Sequence, residues 1–314
     1  MKQSSPESIN TSVEFAGMSL ASPITVASGT FGAGKEFSDF VRLEKLGAVV
    51  TKGVSPVAWS GNAGRRIVET TGGMLNSIGL QNPGVESFVQ HDLAWLKENA
   101  PKAHVFVNVC GHNRQDFIEV VERLDEEEGV SAYEINISCP NVDAGGMAFG
   151  VKCDAAADII SAVRAATKRP IIAKLTPNVT DITEIARAVE AAGADGISLI
   201  NTVLGMAIDA HSFRPVLKRG VGGLSGPAIK PIALRMVYET SKAVSIPLIG
   251  MGGVSTGIDV VEFMLAGATL VAIGTANFKD PRATGLALDE LKSFCSSHDI
   301  DAVSDLIGAL KEGA

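Results

Sequence analysis

Short runs of aliphatic and β-branched residues recur along the chain. Each is closed by a polar residue or glycine, and a stretch with apolar residues at helical spacing follows. Ile24-Thr25-Val26-Ala27 runs into Ser28-Gly29, Ala48-Val49-Val50-Thr51 into Lys52-Gly53, and Val105-Phe106-Val107 into Asn108. Ala132-Tyr133-Glu134-Ile135 runs into Asn136, Ile171-Ile172-Ala173 into Lys174, and Gly196-Ile197-Ser198-Leu199-Ile200 into Asn201-Thr202. Pro247-Leu248-Ile249 runs into Gly250-Met251-Gly252-Gly253, and Leu270-Val271-Ala272-Ile273 into Gly274-Thr275. Helical patterns separate these strands near 36–46, 86–98, 114–126, 154–167, 182–192, 228–243 and 257–266, and two more follow near 281–295 and 302–311. Leu46-Gly47-Ala48, Ala192-Gly193-Ala194 and Ala266-Gly267-Ala268 each set a glycine where a helix ends and a strand begins, a place for a left-handed residue.

Eight alternating strand and helix units predict a single α/β domain over 1–314, a (β/α)8 TIM barrel with its active face at the strands' C-terminal ends. Val13 to Leu20 reads as a β-hairpin with Ala16-Gly17 at its turn, capping one end, and 1–12 as a flexible polar tail. The stretches 54–85, 140–153 and 201–227 read as loops longer than a barrel needs, all on the active face, where lids and binding loops lie.

The composition narrows the chemistry. A formal charge of −8 argues against a nucleic-acid partner. Cys110, Cys139, Cys153 and Cys295 lack the spacing of a zinc site, an iron–sulfur cluster or a disulfide framework. His91, His104, His112, His211 and His298 lack metal-ligand spacing too and read as surface or loop residues. No apolar run is long enough to span a bilayer and no signal core opens the chain, so a cytoplasmic protein without a membrane partner is expected. Cys110, Cys153 and Cys295 read as packing, and Asp125-Glu126-Glu127-Glu128 as a solvated helix end.

The stretch richest in chemistry is Asn136-Ile137-Ser138-Cys139-Pro140-Asn141. Pro140 has no N–H and cannot continue a central strand, so Asn136 ends a strand and Cys139 lies just beyond it. A thiol between amide side chains suits a planar polar substrate, and as thiolate it would be a general base for a carbon-bound proton beside a carbonyl. A hydride leaving the adjacent carbon then needs a two-electron acceptor such as a flavin. Lys174, after a wholly apolar strand, would point into the barrel mouth. There it would either neutralise a reduced flavin or form a Schiff base. Lys52 is similarly placed. Gly252-Gly253, Gly274-Thr275 and Gly226 offer backbone N–H groups for a phosphate.

These motifs, with Thr51-Lys52-Gly53, the run from Gly73 through Asn76-Ser77-Ile78-Gly79-Leu80 to Gly84, Asn201-Thr202 and Gly222-Gly223-Leu224-Ser225-Gly226-Pro227, resemble the class 1 dihydroorotate dehydrogenases. The resemblance runs from about residue 13 to about residue 295. Gly73 to Pro83 and Asn201 to Ala207 are most similar to the class 1B branch, the NAD-linked catalytic subunits.

The resemblance implies FMN-dependent oxidation of dihydroorotate to orotate in pyrimidine biosynthesis, with one FMN per chain. It places the general base on Cys139, aided by Lys174 and Lys52. It places FMN on Ser28, Lys52, Gly53, Asn108, Asn136, Lys174, Ile200, Gly226, Gly252, Gly253, Gly274 and Thr275. The substrate falls on Lys52, Asn76, Ser77, Ile78, Gly79, Leu80, Asn136, Asn201 and Thr202. In this pattern Cys139 takes the C5 proton and C6 delivers hydride to flavin N5. The chain itself carries no strand–GxGxxG–helix unit for NAD. The resemblance implies a partner subunit with FAD and a [2Fe–2S] cluster, in a heterotetramer built on a homodimer of this chain. The alternatives are a fumarate-linked class 1A enzyme, a lyase using Lys174 as a Schiff base, and a non-catalytic phosphate-binding barrel.

Overall fold

The computed structural model describes residues 5–138 and 149–311. Parallel strands Ile24–Val26, Val49–Val50, Val105–Val109, Ala132–Asn136, Ile171–Lys174, Gly196–Leu199, Leu248–Met251 and Leu270–Ile273 pair in chain order, and the last pairs with the first. A parallel bridge between Thr25 and Ala48 closes the ring. Thr25 Oγ1 donates to the Ala48 carbonyl there at 2.7 Å. Every residue of these strands is buried, as expected of a parallel sheet covered on both faces. The predicted eight strands therefore stand within a residue or two of their places.

The hairpin plugs the N-terminal end of the barrel. Its turn residues, Ala16 and Gly17, both have positive φ (48° and 78°), the geometry that matches strand twist in a two-residue turn. Phe15 is fully buried, with its ring 6.1 Å from that of Phe106. A Cβ on Gly196 would lie 2.8 Å from the Phe15 ring, so this glycine makes room for the plug.

The helices Arg114–Asp125, Cys153–Ala166, Ile182–Ala191, Lys230–Ser241, Gly257–Leu265 and Ala283–Ser297 lie where the periodicity put them. The 86–98 pattern is helical from Val85 to Asn99, with a π-type stretch over Phe88–Leu93. Thr256 caps Gly257–Leu265 in a capping box with Asp259. We expect Thr256→Ala to lower the unfolding free energy by about 1 kcal/mol, read as a lower urea midpoint at unchanged slope.

Several expectations fail for physical reasons. The 36–46 stretch forms only two 3-10 turns, Lys35–Phe37 and Leu43–Lys45. Phe37 stacks on Phe31 with centroids 4.1 Å apart, and Leu43 packs onto Gly34 (φ 88°), which folds the segment back on itself. The 302–311 stretch is one 3-10 turn, Val303–Leu306, whose two buried residues are three apart. Part of the tail packs on the barrel at Ile9 and Asn10. Pro6–Ser8 is a 3-10 turn, Ile9 is buried, and Asn10 bridges Ala302. Gly193 and Gly267 have the expected positive φ, but Gly47 does not. Its reason is space, since a Cβ there would meet the Ser22 carbonyl at 2.4 Å. The acidic run is only partly solvated. Asp125 accepts from the Tyr133 hydroxyl, and Glu127 pairs with Lys97 and Arg123, which hold its carboxyl below its ordinary range.

The largest correction concerns the long loops. Parts of 54–85 and 201–227 build an antiparallel sheet of four strands, ordered Val203–Met206, Val221–Ser225, Gly73–Asn76 and Ile67–Thr70. Its glycines let backbones meet. A Cβ on Gly73 would lie 2.0 Å from the Ser225 carbonyl, and one on Gly222 would lie 2.7 Å from that of Asn76. One face of this sheet, with Ile67, Met74, Asn76, Leu204, Val221, Gly223 and Ser225, forms a wall over the barrel mouth.

Candidate active site

Between this wall and the strands' C-terminal ends lies a cavity of about 460 Å³, within the range of small-molecule sites. Ser28 comes from beyond the first strand, Lys52 and Gly53 from beyond the second, and Asn108, Asn136 and Lys174 from the next three. Ile200, Asn201 and Thr202 follow the sixth, Gly252 and Gly253 the seventh, and Gly274 and Thr275 the eighth. Asn76 to Leu80 and Gly226 reach in from the wall. Every sequence-predicted site residue among the described residues therefore lines this one cavity. Cys139 lies outside the described residues.

The barrel floor of the site is a chain of hydrogen bonds joined by one ion pair. Lys174, 4% exposed, donates from Nζ to Ser28 Oγ at 2.7 Å and lies 3.7 Å from Glu134 Oε2. Glu134, 1% exposed, accepts from Asn108 Nδ2 at 2.5 Å and from Ser198 Oγ at 2.7 Å. Asn136 Nδ2 donates to Asn108 Oδ1 at 3.3 Å, and Ser138 Oγ donates to Asn136 Oδ1 at 2.7 Å. Asn201 Nδ2 donates to Ser138 Oγ at 2.7 Å, and Thr202 N–H to Asn201 Oδ1 at 2.8 Å. Each amide group keeps a second N–H and a second lone pair for a ligand. Register explains the assembly. Asn108 pairs with Glu134 across one ladder, Asn136 with Lys174 across the next, and Ser198 with Lys174 across a third.

At the opposite rim, glycine-rich turns from two loops and a strand end come together. Gly226, Gly252 and Gly253 have φ of 96°, 128° and 81°, conformations that favour glycine. A Cβ on Gly253 would meet Lys230 Cβ at 2.7 Å and the Gly226 carbonyl at 3.0 Å, so two loops close on each other here. The Thr275 and Ser225 hydroxyls are joined at 2.8 Å beside them. Lys230 in turn is fixed by Asp259 at 2.6 Å and Glu262 at 2.7 Å. Near Lys52, burial raises the Asp92 carboxyl above its ordinary range, Glu36 adding to that and Lys52 opposing it.

Sequence reasoning missed Glu134, Ser198, Arg66 and the wall residues Leu204 and Val221. Glu134 had a signal, since it stands two before Asn136 on a strand and shares its inward phase. Arg66, held by Gln81 at 2.7 Å, also lines the cavity. Among the described residues no group of three or more His, Cys, Asp or Glu side chains could hold a metal ion. No helix of the described residues is long and apolar enough to cross a membrane.

The family model for dihydroorotate dehydrogenase matches residues 10–295. The chain is 53% identical over 301 residues to a dihydroorotate dehydrogenase B (NAD(+)) catalytic subunit of Alkaliphilus oremlandii, covering 96% of this chain and 99% of that one. It is 54% identical over 300 residues to the protein of that name from Geobacter sulfurreducens, covering 96% and 98%. A crystal structure of Eimeria tenella DHODH in complex with ferulenol superposes with a TM-score of 0.79 at 23% identity, covering 98% of this chain and 90% of that one, a likeness of fold.

Proposed function

This chain belongs to the dihydroorotate dehydrogenase family, in its class 1B branch, and from that premise we propose how its cavity works. It is an NAD-linked dihydroorotate dehydrogenase catalytic subunit, oxidising dihydroorotate to orotate. One observation carries the reading of the site. Every described residue predicted to touch flavin or substrate lines the same cavity, with Lys174 at its floor and a glycine cradle at its rim.

The cavity fits FMN. The donors at Gly226, Gly253, Gly274 and Thr275 suit the phosphate, and Lys174, Asn108, Asn136 and Ser28 suit the polar edge of the ring. When bound, FMN supplies a two-electron acceptor for the hydride that leaves C6. Asn76, Asn136 and Asn201 orient the substrate ring through their spare amide N–H groups and lone pairs. Lys52 and the Gly79 backbone receive the substrate carboxylate. Cys139, as thiolate, takes the C5 proton, made acidic by the adjacent carbonyl. Ile67, Leu204 and Val221 present an apolar wall to the substrate side of the cavity.

The Schiff-base alternative is the weaker one here. Lys174 Nζ is engaged as donor to Ser28 and as counter-charge to Glu134, not presented as a free amine. For the electrons' onward path we propose a partner subunit carrying FAD and a [2Fe–2S] cluster, in a heterotetramer built on a dimer of this chain in the cytoplasm.

The test is optical. The purified protein should be yellow, release FMN on denaturation, and bleach anaerobically when dihydroorotate is added. A colourless protein that takes up no FMN would overturn the reading.

A further inference from the structure

We propose that Glu134 is a positioning residue that lowers the reduction potential of the bound flavin by balancing the charge of Lys174. This deepens the flavin reading above and rests on it. Glu134 lies inside the barrel, 1% exposed, and no proton-transfer or substrate-contact role assigned above falls on it. It does not line the cavity, whereas its partners Lys174 and Asn108 do. Its two oxygens hold three groups. Asn108 Nδ2 lies at 2.5 Å, Ser198 Oγ at 2.7 Å, and Lys174 Nζ at 3.7 Å. One carboxylate thus fixes the cation at the floor and, through Asn108, the amide chain that continues to Asn136, Ser138 and Asn201.

The charge has a consequence beyond geometry. Taking up two electrons makes a flavin more negative, so a lone ammonium at the floor would favour the reduced form. A carboxylate behind that ammonium offsets much of its field, and in a low-dielectric interior such offsets act strongly. The reduced flavin is then held less tightly and passes its two electrons on more readily. This suits an enzyme whose final acceptor is NAD, a weak oxidant.

The experiment compares midpoint potentials of bound FMN by anaerobic dye-coupled titration. Glu134→Gln keeps the size of the side chain and an acceptor for Asn108 but removes the charge. It should tighten binding of reduced over oxidised flavin at least tenfold, a positive shift of about 30 mV for a two-electron couple. Glu134→Asp keeps the charge and should restore the wild-type potential. A Gln variant that holds flavin at the wild-type potential overturns the proposal, as does an Asp variant shifted as far as Gln.

Glu134→Gln leaves a buried ammonium without its carboxylate and so risks failing to fold. Ser198→Ala serves then, because it withdraws the hydroxyl dipole that screens the carboxylate. It should move the midpoint the other way, to more negative values, and an unmoved or raised midpoint overturns the proposal. Failure here leaves the flavin reading standing, because that reading falls only if the wild-type protein binds no FMN.

Discussion

Cys139→Ala should slow reduction of the bound flavin by dihydroorotate about 10²–10⁴-fold, the usual worth of a positioned general base, while FMN content stays at the wild-type level. The expectation follows from the division of labour in the site. The described cavity residues supply hydrogen bonds, charge and an apolar wall. Lys174 is engaged with Ser28 and Glu134, Lys52 is assigned to the substrate carboxylate, and the amides carry no base. In the proposed mechanism, the thiol in the Asn136-to-Asn141 motif fills that gap. Wild-type reduction should speed up as pH rises towards the ordinary thiol range, about 8.5, because only the thiolate takes the proton. The Ala variant should lose that limb. Anaerobic stopped-flow at the flavin absorbance band checks both points, and wild-type speed in the Ala variant would remove Cys139 from the mechanism.

The sequence announced the parts of this site that lie at ends of strands. A strand that must end before Pro140, or that ends at a lysine after Ile171-Ile172-Ala173, marks its own terminus, and in a barrel all such termini face one way. What stayed hidden depends on contacts between distant segments. The wall sheet was illegible because its strands carry Gly73, Gly205 and Gly222-Gly223, which erase the alternation a strand is read by. Gly73 and Gly222 are required by backbones that approach too closely for any side chain, and Gly223 by the Thr202 side chain. Gly47 misled in the opposite sense, for it answers to the Ser22 carbonyl and not to a helix end. Phe37 and Val41 sit at helical spacing, yet the Phe31 stack and the Leu43 contact with Gly34 decide that segment. Glu134 reads as one polar residue in a strand until its three partners, from three other strands and ladders, are seen around it.

Lys174→Met should cost the fold about 3–5 kcal/mol, because it strands the Glu134 carboxylate in the barrel interior. Lys174 and Glu134 have side chains only 5% and 1% exposed, so solvent cannot take over the lost partner. The Asn108 and Ser198 hydrogen bonds remain, but neither brings positive charge. The same substitution should also lower FMN content sharply, since the floor loses its cation. These two effects separate in the double variant Lys174→Met with Glu134→Gln. Removing both charges leaves no lone ion, so most of the lost stability should return, a coupling read from the four urea curves of a double-mutant cycle. Flavin binding should not return, because the cation at the floor is missing from both proteins. Recovery of FMN without recovery of stability would mean that the pair holds the barrel together by packing and that Lys174 has no electrostatic part in holding the flavin.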